Sequence, residues 1–253
     1  MSLRGFRSLL AIIDVGFQPV GAVMGAATFQ IYRPTGCRGY GPWTGTQPLI
    51  FASYEQAMRN AWRNALDRLE AEAVRVDAHG VVGVSVTQQV PTTTRAVTHV
   101  QLVGSAVRVR GAEPLQRPFL SMLAMDDTLK LLLRGWVPSG IAVGISAVHV
   151  HGWGVSPYGL GVGQNNVELA VPTAGMAFAR ARAEYELRQA LVAGRAEGTV
   201  AAEVNVKRTS HSCGYGQPAV MIEGRIMGTG VVRYRGPVVE LAGVRDLSAS
   251  GSS

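Results

Sequence analysis

The sequence predicts an α+β fold: a tandem pair of small domains, each an antiparallel β-sheet packed by one long helix. Residues 53–89 read as a long amphipathic helix that leads through a glycine turn into a strand, and a similar unit recurs over residues 174–208. Two further blocks recur in the same order: GFQPVGAVMG is matched by GWVPSGIAVG, and VGSAVRVRG by MGTGVVRYRG. A tandem duplication explains this spacing better than chance does.

The first long helix is predicted from one apolar stripe. Its members recur at steps of three and four residues and are Met58, Ala61, Trp62, Ala65, Leu66, Leu69, Ala73 and Val76. Ser53 and Gln56 have the spacing of a capping box, which predicts a helix from Tyr54 to about Asp77. Gly80 follows where a left-handed C-cap is expected.

The other elements are predicted from β-branched runs between Gly- and Pro-rich loops. The first copy is expected to have a short helix over 4–15 and strands over 20–31, 49–52, 81–89 and 96–109. The second is expected to have a leading helix over 119–134 with Asp126 or Asp127 as cap and Gly135 as stop, strands over 141–151, 167–171, 200–209 and 219–234, and a long helix capped by Thr173. The order strand, strand, helix, strand, strand in each copy implies a helix on one face of a sheet.

The repeats and the linker composition predict the domain boundaries. We expect a first domain over residues 1–111, a linker and lead-in over 112–124, a second domain over 125–236 and a C-terminal tail over 237–253. Each domain is then long enough to bury a core of its own.

Composition narrows the classes of function. The net charge of +7 comes mostly from arginine, which GC-rich coding also favours, and basic charge alone indicates non-specific association, so we do not predict a nucleic-acid partner. The only cysteines, Cys37 and Cys213, form no disulfide framework, which indicates a reducing cytoplasm. No apolar run is long enough to span a membrane, so no membrane partner is expected.

The repeated blocks resemble the YbjQ-like family, which is named for heavy-metal binding. The matching features are the GxxPVGxVxG strand, the AWRNALDRLEAEA helix, the AHGVVGV turn and the closing GSAVRVRG strand, closely over residues 6–111 and more loosely over 125–236. The second copy departs from the pattern at AEGTVAAEV. The resemblance implies a dodecin-like α+β domain that assembles into rings, typically pentamers, and it implies no catalytic residues.

Histidine and cysteine at two strand ends are the candidate metal ligands. His149 and His151 alternate along one strand and so share a face, and His211 and Cys213 do the same. Imidazole and thiolate groups suit a divalent metal such as zinc. The alternative is that these are polar residues at a strand end and in a loop.

Aromatic and arginine residues are the candidate interface residues. The aromatic residues of the Gly-rich loops are Tyr40, Trp43, Trp153 and Tyr158. The arginines that recur at the two closing strands are Arg108, Arg110, Arg233 and Arg235. They form a ring of charge between subunits or, alternatively, a solvent-facing edge that blocks unwanted strand pairing.

These observations predict a non-enzymatic, cytoplasmic homo-oligomer that forms a ring or cage on a pentameric plan, with five chains supplying ten domains. The alternative is a module that binds a heavy metal or small ligand through His149, His151, His211 and Cys213. No Ser/His/Asp, Cys/His or paired-carboxylate pattern indicates catalysis.

Overall fold

The computed structural model describes residues 17–32, 48–89, 95–110, 117–151, 170–212 and 218–234, and these form an α+β fold. The elements up to residue 109 are β1 (Phe17–Tyr32), β2 (Leu49–Ile50), α1 (Ala52–Arg75), β3 (Gly80–Gln89) and β4 (Arg95–Val109). The elements after it are β5 (Phe119–Leu120), α2 (Met125–Leu133), β6 (Trp136–His151), α3 (Ala170–Ala193), β7 (Gly198–Ser212) and β8 (Pro218–Arg233). The predicted fold class is confirmed.

The strands form two sheets. The N-terminal sheet has the order β1-β4-β3-β5 and the C-terminal sheet the order β2-β6-β8-β7. Strand β2 does not join the sheet of its own half: Leu49 pairs with His149 of β6. Conversely, β5 leads into the C-terminal half but pairs with β3, Phe119 lying opposite Gly80, and this is a parallel pairing. The predicted purely antiparallel sheet, with its second strand inside the same domain, therefore differs from the structure.

The two sheets share one hydrogen-bonding register. The pairing of β1 with β4 shifts between Pro19 and Gly21, and that of β6 with β8 shifts between Pro138 and Gly140. The pairings of β3 with β4 and of β7 with β8 shift at matching places as well. The three long strands of one sheet therefore correspond residue by residue to the three long strands of the other.

Each long helix approaches its sheet at a glycine. A Cβ atom on Gly25 would collide with the backbone of Ala65 and Leu69 in α1, and a Cβ on Gly144 would collide with Leu187 of α3 in the same way. Glycine is required because only a strand without a side chain lets the helix come this close. We call two residues equivalent when they hold the same place in these registers and contacts, as Gly25 and Gly144 do.

Helix α1 lies between the two sheets. Its apolar stripe packs on the inner face of the N-terminal sheet and belongs to one core cluster with residues of the other sheet, namely Ile145, Ala147, Met221 and Met227. The opposite face of the C-terminal sheet packs on α3, where Val148 and Ile222 contact Ala179. Within the described ranges, the C-terminal sheet is thus covered on both faces and the N-terminal sheet on one.

The start of α1 differs from the prediction. The helix begins at Ala52, its N-cap is Phe51, and no side chain caps it, so the capping box of Ser53 and Gln56 is wrong. The Phe51 N–H donates to the Ala147 carbonyl at 2.9 Å. The neighbouring strand therefore fixes the entry into the helix, and a local side-chain cap is not needed.

The end of α1 differs as well. Asp77 has the left-handed conformation, with φ of 51°, and the Ala78 N–H returns to the Ala73 carbonyl at 2.9 Å. Gly80, which was predicted as the C-cap, is instead the first residue of β3 and leaves room for the Phe119 ring. Its role is close packing.

The second copy departs from the prediction before its first strand. The leading helix is shorter than 119–134: residues 119–120 are β5, and Ala124 is the N-cap of α2 in place of Asp126 or Asp127. Gly135 has φ of 76° and follows the helix as predicted. Thr173 lies inside α3, and residues 170–171 are helical, so the predicted Thr173 cap and the end of the 167–171 strand are wrong.

Some predictions lie outside the described residues, among them the helix over 4–15. The domain boundaries stay predictions. Of the helices in the described ranges, none combines the length and the apolar character that crossing a membrane demands.

Replacing Gly25 by alanine tests the helix–strand contact. Because the new Cβ meets backbone atoms of α1, we expect Gly25→Ala to lower the free energy of unfolding by about 1–3 kcal/mol in urea denaturation. Gly21→Ala is the matched control on the same strand, since nothing lies within 4 Å of its Cβ position. Equal unfolding midpoints for the two variants would contradict this packing.

Candidate functional site

The junction between the two halves contains a fully buried carboxylate, Glu55 of α1. Its Oε1 accepts hydrogen bonds from the Ala147 N–H at 3.0 Å and from Arg182 Nε at 2.8 Å. Its Oε2 accepts from Arg182 Nη2 at 2.7 Å, which completes a bidentate pair. One side chain of the first half is thus bonded to both β6 and α3 of the second.

Positive groups surround the Glu55 carboxylate. Glu55 lies in the first turn of α1, where the helix dipole favours an anion. Arg59 Nη1 lies 3.5 Å from Oε2 of Glu55, and the same nitrogen lies 3.8 Å from Oε2 of Glu186 on α3. The hydrogen bond to Glu55 raises the pKa of Arg182 above its ordinary value, so this guanidinium stays charged at any pH the fold meets.

A second polar contact crosses the junction at Arg225 of β8. Its guanidinium lies 5.5 Å from the centre of the Trp62 ring on α1, a cation–π contact. Its Nη1 donates to Gln88 of β3 at 2.6 Å, and its Nη2 to Glu203 of β7 at 3.2 Å. Arg225 therefore ties the C-terminal sheet to the helix and sheet of the first half.

No element of the described residues covers the outer face of the N-terminal sheet, and we call it the open face. Its members alternate with the core residues of β1 and β4 and are Ala22, Met24, Ala26, Thr28, Val97, His99, Gln101, Val103 and Ser105. Met24 is 49% exposed and Val103 is 36% exposed. The equivalent of Val103 in the C-terminal sheet, Met227, is 1% exposed beneath α1.

The outer side of α3 likewise has no described element packed on it. Met176 is 41% exposed, whereas its equivalent in α1, Met58, is 2% exposed in the junction. Phe178 and Tyr185 are further exposed hydrophobic residues on this helix. The open face and the α3 surface around Met176 are therefore apolar surfaces whose equivalents are buried against each other inside the chain.

The candidate metal ligands are only partly within the described residues. His149 is buried, and its ring lies 5.3 Å from that of Phe51, tilted by 33°. The backbones of His151 and His211 both pair with Ala219 of β8, so they lie two strands apart, about 10 Å. Their side chains and Cys213 lie outside the described set, and the rest of the described chain holds no group of three such ligands.

The candidate interface residues divide into two groups. Tyr40, Trp43, Trp153, Tyr158 and Arg235 lie outside the described residues. Arg108 donates to the Val76 carbonyl at 2.7 Å and the Asp77 carbonyl at 2.9 Å, so it satisfies the end of α1. Arg110 and Arg233 are exposed.

Sequence reasoning missed Glu55 and Arg182. The signal that could have found Glu55 is its place on the apolar stripe, one turn before Met58. A carboxylate on a buried helix face is unusual unless its charge is paired. Nothing in the sequence marks Arg182 as its partner, because 127 positions separate them.

An open cleft of about 900 Å³ runs between α1, α3 and the start of β6. It is lined by both signs of charge, and some are paired, as Arg117 is with Glu70 at 3.0 Å. Trp62 also lines it, and its buried Nε1 donor has no hydrogen-bond partner in the described part of the chain. Arg59 Nη1 is a second buried donor of this lining without a hydrogen-bond partner among the described residues.

Comparison with known proteins supports a family assignment for the segment that contains α1. Residues 50–110 match a family model described as "Putative heavy-metal-binding". Over this segment the chain is similar to the YbjQ-like family. The match takes in α1, β3 and β4, so the YbjQ-like segment supplies Glu55 and part of the open face.

A curated relative extends over more of the chain. The chain is 29% identical over 160 residues to the encapsulin nanocompartment protein Rv1762c of Mycobacterium tuberculosis. The alignment covers 58% of this chain and 58% of that protein, so the chain spans less than two thirds of the relative's length.

Removing one partner of the buried ion pair tests the junction. We expect Arg182→Ala to lower the free energy of unfolding by about 3 kcal/mol, because Glu55 would remain buried without its bidentate partner. Arg188→Ala, which breaks an exposed pair with Glu184 on the same helix, is the control and should cost at most about 1 kcal/mol. Urea denaturation of both variants distinguishes them, and comparable losses would refute the assignment.

Proposed function

We propose that this chain is a non-enzymatic subunit of a cytoplasmic homo-oligomer that closes into a ring or cage, with five chains supplying ten sheets. The observation that carries the proposal is the open face, on which Met24, Val97 and Val103 are exposed together. Large apolar patches on a soluble domain usually mark a contact surface.

The C-terminal sheet supplies the physical reason for self-association. Its equivalent face is buried under α1, with Met221 at 5% and Met227 at 1% exposure. Burial of apolar surface stabilises by about 25 cal/mol per Å², so covering the open face with a similar helix is favourable. A second copy of the chain offers such a helix in α3.

The relative's name supports the same reading. By its name that relative is a protein of an encapsulin nanocompartment, and the similarity of the chain to it favours assembly into a ring or cage. The cytoplasmic location rests on the two cysteines, which lie at non-equivalent places in the repeats. The YbjQ-like segment adds no catalytic constellation to this argument.

Native mass spectrometry with one surface variant tests this function. The wild-type protein should give a discrete multiple of the 26.8 kDa chain that is unchanged by chelator. Met24→Glu should shift it towards the single chain, because it puts a charge on the open face.

Val192→Glu is the control for that experiment. Val192 is 72% exposed, and its equivalent Val74 is also exposed, so it lies outside the surface that the junction buries. It should leave the assembly intact. A wild-type protein that remains a single chain at micromolar concentration would overturn the proposal.

The second candidate function is binding of a metal or small ligand, favoured by the open cleft between α1 and α3 and by the shared register of His151 and His211. Zinc or a similar divalent metal would bind at His149, His151, His211 and Cys213. Elemental analysis of the purified protein tests it: bound metal should be lost in His149→Ala with His151→Ala. Metal content equal to that of the wild type would exclude this ligand set.

A further inference from the structure

We propose that α3 of a second copy covers the open face, and that the buried charge at the internal junction prevents α1 from docking there instead. This inference rests on the proposed function, because it names the partner surface of the same assembly. It follows from comparing equivalent positions at the two junctions.

The internal junction depends on three groups, each of which has an equivalent in the other half of the chain. The position of Glu55 in α1 is held in α3 by Thr173, which is exposed. The position of Ala147 in β6 is held in β1 by Thr28, also exposed. The position of Arg182 in α3 is held in α1 by Asn64, which is half-buried.

The second junction is therefore neutral. When α3 docks on the open face as α1 docks on the C-terminal sheet, Thr173 comes to the side of Thr28 and Asn64. Thr173 and Asn64 are uncharged and shorter than Glu55 and Arg182, so this junction buries no charge and leaves room for a water molecule to bond the Thr28 N–H. The carboxylate and the guanidinium of the internal junction both have neutral equivalents at the external junction. Neither junction therefore contains an unpaired charge.

The apolar and aromatic contacts are replaced in the same matched way. Met176 takes the place of Met58 against the sheet. Arg180 is the equivalent of Trp62, and Gln101 is the equivalent of Arg225. Arg180 and Gln101 therefore meet at the external junction. A guanidinium can donate to an amide oxygen, whereas two arginines at these positions would repel each other.

The charge difference makes docking selective. If α1 of another chain were placed on the open face, Glu55 would be buried against Asn64 with no guanidinium to pair with. An unpaired buried carboxylate is strongly unfavourable, so this arrangement is disfavoured. The internal junction accepts only α1 and the external one only α3, and sheets alternate along the assembly.

The experiment places the internal charge pair at the external junction. Thr173→Glu should weaken self-association at least about a hundredfold, because the new carboxylate is buried opposite Asn64. Adding Asn64→Arg should restore the assembly to within a few-fold of the wild type. Sedimentation velocity over a concentration series measures both, and the thermal midpoint of the isolated chain should change little because Thr173 is exposed.

Ala181→Glu is the matched control on α3, since Ala181 and its equivalent Arg63 are both exposed. It should assemble as the wild type does. If Thr173→Glu behaves like Ala181→Glu, or if Asn64→Arg does not rescue it, this pairing is overturned while the proposed function stands. A wild-type protein that never assembles overturns both.

Discussion

The buried carboxylate of Glu55 is the contact on which the arrangement of the two halves depends. It satisfies an N–H at the edge of β6 and engages both arms of Arg182, so it fixes helix α1 against one strand and one helix of the other half. A buried ion pair adds little net stability compared with apolar residues of similar volume, but it tolerates no other partner. Its contribution is to the position of the helix, and the apolar area around it supplies most of the stability.

This position makes α1 a layer shared by two sheets. A helix between two sheets needs apolar groups on two sides, and α1 has them: Leu69 packs towards its own sheet, and Trp62 towards Arg225 of the other. The short strands reinforce the same arrangement, because β2 covers the edge of β6 and β5 covers the edge of β3. Covered edges also block unwanted pairing with other chains. The halves are therefore joined by backbone, by apolar packing and by charge.

The parts of this architecture that arise from local pattern were predictable, and those that depend on contacts between halves were not. The stripe from Met58 to Ala73 and the glycines of β1 and β6 are written into short segments, so the helix, its strands and the fold class followed from them. The capping box failed because Ala147 of a distant strand accepts the N–H of Phe51. The exchange of β2 and β5 between sheets carries no local signal, since two-residue strands have no periodicity.

The geometry of the shared layer constrains what a closed assembly can be. A junction in which a helix docks on the back of the next sheet is heterologous, so its repetition gives a ring if the rotations close and an open filament if they do not.

The chain contributes one internal junction and one external junction, and each complete ring of whole chains must therefore hold an even number of sheets. If the two junctions impose the same rotation, ten sheets require about 36° per sheet, half of what a ring of five single sheets would need. Thr173 stands at the position of Glu55, and Asn64 at that of Arg182. These neutral residues determine the order of the sheets in the ring, because they make N-terminal and C-terminal sheets alternate.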